Sequence, residues 1–309
     1  MKKILLATSM LAATTGFAAA EVTVSGSARM GVVYNSISGD TVFSSRVRVA
    51  FAMVGTTDGG LEFGASTRAD QTAGNGATTI TDLGADGLVG GVGVNADRVT
   101  TVGNTGTTNG DSTVYVAMSG LKLTMGDVGG AADALVGQTS GVGYGPNDGL
   151  HEIGFIGTTK TAVYAEYTTG ALTFGISSGQ TSAANSEVAV AAKYSTDAFS
   201  VALGYEDNGP RDQLSLLGST TFGAVTVKAK IVDDSANADM QYSVSADYAA
   251  GATTVTGFYT DFGATNVSHL GLGVAYDLGG GASVKGAIVQ QDAPGGKNEF
   301  ADLGIVMSF

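Results

Sequence analysis

A closed antiparallel β-barrel that crosses a membrane is the fold this sequence predicts, and three observations predict it. Apolar and polar residues alternate with a period of two along nearly all of the 309 residues, which marks strands with two unlike faces. Charged residues inside the alternating segments keep to the polar parity. The links between successive segments run short, then long, as in barrels with turns on one rim and loops on the other. Composition narrows the choice further. The chain holds 48 Gly, 3 Pro, no Cys and no Trp, with 14% charged residues, against about 7% Gly and about 25% charged in an average chain. Without cysteine there is no disulfide framework, thiolate metal site or Cys nucleophile. Two histidines, His151 and His269, are too few for a His-rich metal site. A formal charge of -13 repels phosphate backbones and argues against nucleic acid as a partner.

Residues 1–20, MKKILLATSMLAATTGFAAA, read as a cleaved signal peptide. Lys2 and Lys3 form the basic start, a short apolar run follows, and Ala18 and Ala20 supply the small-residue site. The run is too short to span a bilayer, and no later stretch approaches the roughly 18 apolar residues of a membrane helix. The remaining 21–309 read as a single barrel domain. Cleavage removes two lysines and takes the formal charge from -13 to -15.

The first strand covers 22–34, with Val22, Val24, Ala28, Met30, Val32 and Tyr34 on one face and Thr23, Ser25, Ser27 and Arg29 on the other. In 43–54, Phe43, Val47, Val49, Phe51 and Met53 oppose Ser44, Arg46 and Arg48; in 61–69, Leu61, Phe63 and Ala65 oppose Glu62, Ser66 and Arg68. The alternation continues through 112–118, 121–126, 160–168, 171–177, 187–195, 199–206 and 213–222. It ends with 224–231, 240–248, 252–260, 266–276, 282–290 and 300–309, which makes sixteen strands. A soluble sandwich also tolerates charge on one face. So many dry faces, however, suit a closed barrel with lipid outside and water inside. An Arg or Lys misplaced at the lipid midplane would cost about 2–4 kcal/mol, which accounts for the strict parity. Tyr167, Tyr194, Phe199, Phe222, Tyr248 and Tyr276 fall near the short turns with outward parity and fit an interfacial girdle. Phe309 ends the last alternating strand, like the assembly signal of bacterial outer-membrane barrels.

The stretches EVTVSGSARMGVVYN (21–35) and FSSRVRVAFAMVGTTDGGLEFGAS (43–66) resemble the porins of Rhodobacter and related alphaproteobacteria. So do GLGVAYDLGGGASVKG (271–286) and ADLGIVMSF (301–309), and GDVGGAADALVG (126–137) with VGY (142–144) is similar to the start of their third loop. The resemblance implies a sixteen-stranded barrel with an inward-folded constriction loop. It also implies a homotrimer in the outer membrane, among lipid and lipopolysaccharide, that passes ions and small hydrophilic solutes by passive diffusion. Carried onto this sequence, the constriction wall is Arg29, Arg46, Arg48 and Arg68, and the loop acids begin with Asp127 and Asp133. Strand parity independently places the four arginines on the polar face. Calcium is the one cofactor the resemblance raises, and Gln138, Thr139 and Ser140, standing where more carboxylates are expected, weigh against it.

The 42-residue segment 70–111 departs from the family pattern. It reads as a long loop or as one containing an added hairpin, for example 88–94 with 98–102, which would upset the strand count. Gly91, Gly93 and Ala96 match a dinucleotide fingerprint only as letters, since no helical pattern follows them. His151 and Glu152 read as a loop pair and His269 as a solvated residue at the strand mouth; Asp233, Asp234 and Asp239 read as a solvated loop. A barrel enzyme would need nucleophile, base and orienting group together, and two histidines supply no such constellation. A surface adhesin or structural barrel is the other alternative, though 70–111 has few aromatic or basic anchors for a partner. The overall acidity set against the basic wall leads to an expectation of weak selectivity with a modest cation preference.

Overall fold

A computed structural model of the chain describes residues 20–73, 77–81, 98–102, 108–145 and 147–309. The signal-peptide segment, Ala20 apart, lies outside the described residues. The chain begins with β1 (Glu21–Asn35), β2 (Asp40–Thr56), β3 (Glu62–Ala73), β4 (Ala77–Thr81), β5 (Arg98–Val102), β6 (Thr108–Met118) and β7 (Leu121–Gly126). A short helix α1 (Ala131–Leu135) follows, then β8 (Ala162–Thr169), β9 (Leu172–Ser178), β10 (Val188–Ser195), β11 (Phe199–Asp207) and β12 (Asp212–Phe222). The last strands are β13 (Val225–Asp234), β14 (Gln241–Ala250), β15 (Thr253–Asp261), β16 (Ser268–Gly279), β17 (Ala282–Ala293) and β18 (Gly296–Ser308). All except β4 and β5 join one closed antiparallel barrel of sixteen strands.

Closure comes from β1 pairing with β18, in a register that sets Gly31 opposite Gly304 and Val33 opposite Asp302. The terminal residue completes it, because Gly26 N–H donates to the Phe309 carbonyl at 3.1 Å and Phe309 N–H returns to Gly26 at 2.8 Å. No strand edge is left within the barrel, as a lipid environment demands. The short turns need backbone that L side chains resist: Ser119 and Gly120 both have positive φ, 52° and 85°, as a primed hairpin turn requires.

The segment 70–111 does contain an added hairpin. It pairs β4 with β5, Ala77 opposite Val102, as a two-stranded sheet outside the barrel ladder. The expected partner at 88–94 lies outside the described residues; 98–102 is β5. Because the hairpin stands apart, the barrel keeps its sixteen strands. At the same rim, β17 and β18 run further than alternation suggests, and a turn at 294–295 replaces the expected nine-residue loop. Above the lipid no dry face is needed, so the hairpin is held by polar register pairs such as Gln291 with Asn298 and Asp292 with Lys297.

Outward-facing Val22, Phe43, Val47, Leu121, Ile176, Leu203, Leu272 and Ile288 are all exposed, a belt suited to hydrocarbon. The six girdle aromatics are exposed beside the short turns. The buried core therefore lies inside the barrel, between the lumen wall and the segment 127–161 that enters it.

Candidate functional site

The segment 127–161 leaves β7 and runs along the inner wall from β8 round to the β18–β1 seam. Small residues allow the approach. Ala131 and Ala132 are fully buried, and a Cβ added at Gly204 of β11 would meet Ala132 at 2.6 Å. Three apolar patches hold the segment. Val128, Ala131 and Leu135 pack on Ala162, Tyr164, Ala189 and Ala191. Val136 packs on Ala202 and Leu217, and Val142 on Phe258, Ala287 and Val289. Each larger aliphatic or aromatic side chain removed from water contributes about 1.5–3 kcal/mol.

Polar wall residues accept and donate where the segment's irregular backbone would otherwise be unsatisfied. Ala131 N–H donates to Ser177 Oγ at 2.8 Å, Ser140 N–H to Ser245 Oγ at 2.9 Å, and Ser140 Oγ to Asp247 at 2.6 Å. Lys230 is fully buried. Its Nζ donates to Gln138 Oε1 and to the Ile153 carbonyl, both at 2.9 Å, and lies 3.9 Å from the centre of the Phe155 ring. Gln213 donates to the Gly154 carbonyl at 2.9 Å, and Thr260 to His151 O at 3.0 Å.

Both histidines are buried in this brace; His151 and Glu152 lie on the β7–β8 loop as expected, while burial corrects the reading of His269 as a solvated mouth residue. His269 Nδ1–H bonds the Leu150 carbonyl while Gln291 donates to its Nε2 at 2.9 Å. His151 bonds the Asp148 carbonyl and stands edge-on to Phe258. Asp234, expected in a solvated loop, is also buried. The Arg211 guanidinium forks onto it at 2.8 and 2.6 Å.

The tip of the segment crosses to the closing seam. Gly31 and Gly304 face the lumen as a register pair, and the Tyr144 ring lies over both: added Cβ atoms would meet it at 2.9 and 2.7 Å. Burial pushes the Tyr144 phenol above its ordinary pKa, and the nearby Asp302 carboxylate adds to this; the Ser44 hydroxyl and the Arg29 charge pull the other way. Next to it Gly145 has φ +145°, and any Cβ there would overlap the Arg29 guanidinium.

All four expected arginines line the lumen face of β1–β3. Arg29 and Arg46 are register partners, Arg48 faces Asp70, and Ala50 faces Arg68. Asp70 binds Arg48 through two oxygens at 2.7 and 3.1 Å and Arg68 at 3.1 Å. The two expected loop acids stand in different places. Asp127 accepts the Ser112 backbone N–H at 3.0 Å, tying the segment's start to β6. Asp133 is exposed on α1, opposite the helix face packed on the wall; desolvation within the lumen raises the pKa of its carboxyl against the pull of the Lys230 and Lys160 ammonium groups. Asp148 and Glu152 are exposed on the same segment. Sequence reasoning missed Asp70 because it ended the strand at 69, although the lumen parity of Glu62, Ser66 and Arg68 continues directly to it.

For calcium, the fit is poor. Among the described residues no three His, Asp or Glu side chains gather for a metal. Two buried carboxylates, Glu187 and Glu206, meet below Gly130, which is short of the six to eight oxygens calcium takes.

The family described as Gram-negative porin matches residues 7–296. A porin of Rhodobacter capsulatus is 34% identical, over 94% of this chain and all of the relative. A porin of Fuscovulum blasticum is 28% identical over 84% of this chain and all of its own. Among solved structures, a mutant of the Rhodopseudomonas blastica porin superposes with TM-score 0.73 at 22% identity, covering 93% of this chain and all of the other.

Proposed function

Because the chain belongs to the Gram-negative porin family, we propose that it works as a homotrimer of channels, each narrowed between Arg29, Arg46, Arg48 and Arg68 on one side and the inserted segment with Asp133 on the other. The protein is a multi-pass outer-membrane porin, a water-filled channel for passive diffusion of ions and small hydrophilic solutes. The observation that carries the function is the closed sixteen-stranded barrel, lipid-compatible outside and charged inside, with one segment folded into the lumen. Such a pore selects by size and by rings of side-chain charge and requires no catalytic group, so the channel reading is a non-enzymatic one. Outer-membrane lipid and lipopolysaccharide are the partners proposed for its apolar belt. Asp148 and Glu152 extend the acidic side of the proposed narrowing, and Asp70 divides the basic side into a neutralised part and a free part.

Single-channel recording of the unboiled, detergent-purified protein in planar bilayers tests this. Conducting steps arriving in equal triplets are expected, and replacing Arg46 and Arg48 together by Ala should raise the unit conductance. Steps that always arrive singly would remove the trimer, an unchanged conductance in the double variant would remove the arginines from the narrowing, and folded protein without steps would remove the open channel.

A further inference from the structure

The four arginines of the lumen wall are not equivalent. Arg48 and Arg68 converge on the Asp70 carboxylate. Arg29 and Arg46 do not share it. They lie side by side on β1 and β2 as register partners, and their outer register neighbours are Val306 on β18 and Thr72 on β3. Among the described residues neither has a carboxylate within ion-pair distance. The Nε of each is buried without a hydrogen-bond partner. Like charges directly opposite on adjacent strands are destabilising, and a buried donor left unmade costs the desolvation of that group. The wall nonetheless holds them together. The backbone of Gly145 presses on the Arg29 guanidinium, and only a glycine there leaves the room. Ser27 and Ser44 stand on the same lumen face, one register step to either side of the pair.

We infer that Arg29 and Arg46 form a built oxyanion site in the channel, one that takes a phosphate-class dianion, free or carried on a small solute. Two guanidinium groups present paired N–H donors in a planar fork that matches oxyanion edges, a match that a halide does not offer. A dianion bound at the terminal guanidinium N–H groups offsets the repulsion between the two cations. The inserted segment makes the site rigid, since Tyr144 and Gly145 are fixed on the seam beside Arg29. Because the site lies in a conducting lumen, the ion must also leave, so occupancy is weak, with half-saturation on the order of millimolar. The site rests on the channel reading and deepens it: anions of this class dwell at the narrowing, where monovalent ions pass.

The test is the wild-type single-channel current in 0.1 M potassium chloride, a salt in which screening is moderate, as inorganic phosphate is added at constant ionic strength. The current should fall along a saturating curve with phosphate and change only in proportion with nitrate, a comparison that needs no variant. Arg29→Gln or Arg46→Gln should raise the half-blocking phosphate concentration about tenfold or more, the loss of hydrogen bonds to a charged group. Lys228→Gln, which removes a lumen charge on the far strand β13, should leave that concentration within about twofold. Open chloride-conducting channels with no saturable phosphate effect would overturn the site and leave the porin standing. An equal response of the Arg46→Gln and Lys228→Gln channels would reduce it to the general potential of the lumen. Folded protein that conducts nothing would remove both.

Discussion

Tyr144 occupies a seat that a single methyl group would close. Its ring covers Gly31 and Gly304, so Gly304→Val forces the ring off the seam or bends the wall. Overpacking of this kind costs about 1–3 kcal/mol. The expected outcome is a lower temperature for loss of the folded band on unboiled gels, with noisier current as the segment's tip is freed; a quiet channel with wild-type heat resistance would contradict the seat. The same residue gives a pH dependence. The folded state holds the Tyr144 proton more tightly than the unfolded chain does, so the phenol's contribution is complete below its unfolded value of about 10 and declines as pH rises beyond it. Current noise in the wild type should therefore grow in the alkaline range sooner than in Tyr144→Phe, which has no phenol to ionise. Superimposable pH profiles would show that the phenol plays no part. At this scale the sequence was half legible. Parity put the arginines in the lumen. It could not say that Asp70 takes two of them and leaves two, because side-chain partners depend on register, and register on where a strand stops.

At the scale of elements, the inserted segment is held as much by the wall's polar groups as by its apolar ones. Lys230 is the clearest case, with two carbonyl-type acceptors and an aromatic face around one buried ammonium. Lys230→Met keeps the volume and removes the donors, leaving Gln138 Oε1 and the Ile153 carbonyl without this partner. Each keeps one other bond, from Ile153 N–H to Gln138 Oε1 and from Gln138 Nε2 to the Ile153 carbonyl, and each lost hydrogen bond to the ammonium costs about 1.5–3 kcal/mol. The variant should keep its barrel, by unchanged strand content in circular dichroism, while the segment 127–161 becomes cleavable by added protease. Resistance equal to wild type would show the lysine to be dispensable. The segment's path was written in the chain, though not in the strand pattern itself. Leu217, Val232, Phe258 and Val289 are apolar on the lumen parity and buried. Each is an exception to a water-facing wall, and together with Gly204 and Gly273 they trace where the segment lies. Counting apolar residues on the outer face passes over them.

For the whole molecule, closure depends on the last residue. Phe309 exchanges two backbone hydrogen bonds with Gly26 and ends the β1–β18 ladder. Deleting Phe309 should lower the fraction of protein that reaches the outer membrane in heat-modifiable form, with less effect on the conductance of the channels that do assemble. A deletion that assembles as fully as wild type would make the terminal bonds incidental. The barrel itself was the most legible feature, because lipid enforces one rule on every strand and the rule has period two. The least legible was the extended rim, where β3, β17 and β18 leave the hydrocarbon and the rule no longer applies to them.

The two halves of the Tyr144 seat come from opposite ends of the chain, Gly31 from the first strand and Gly304 from the last. Until those ends meet, the seat does not exist. The docking of the segment's tip is thus ordered in time: it follows the zipping of the final seam. A settled tyrosine is in effect the molecule's own record that its assembly is complete.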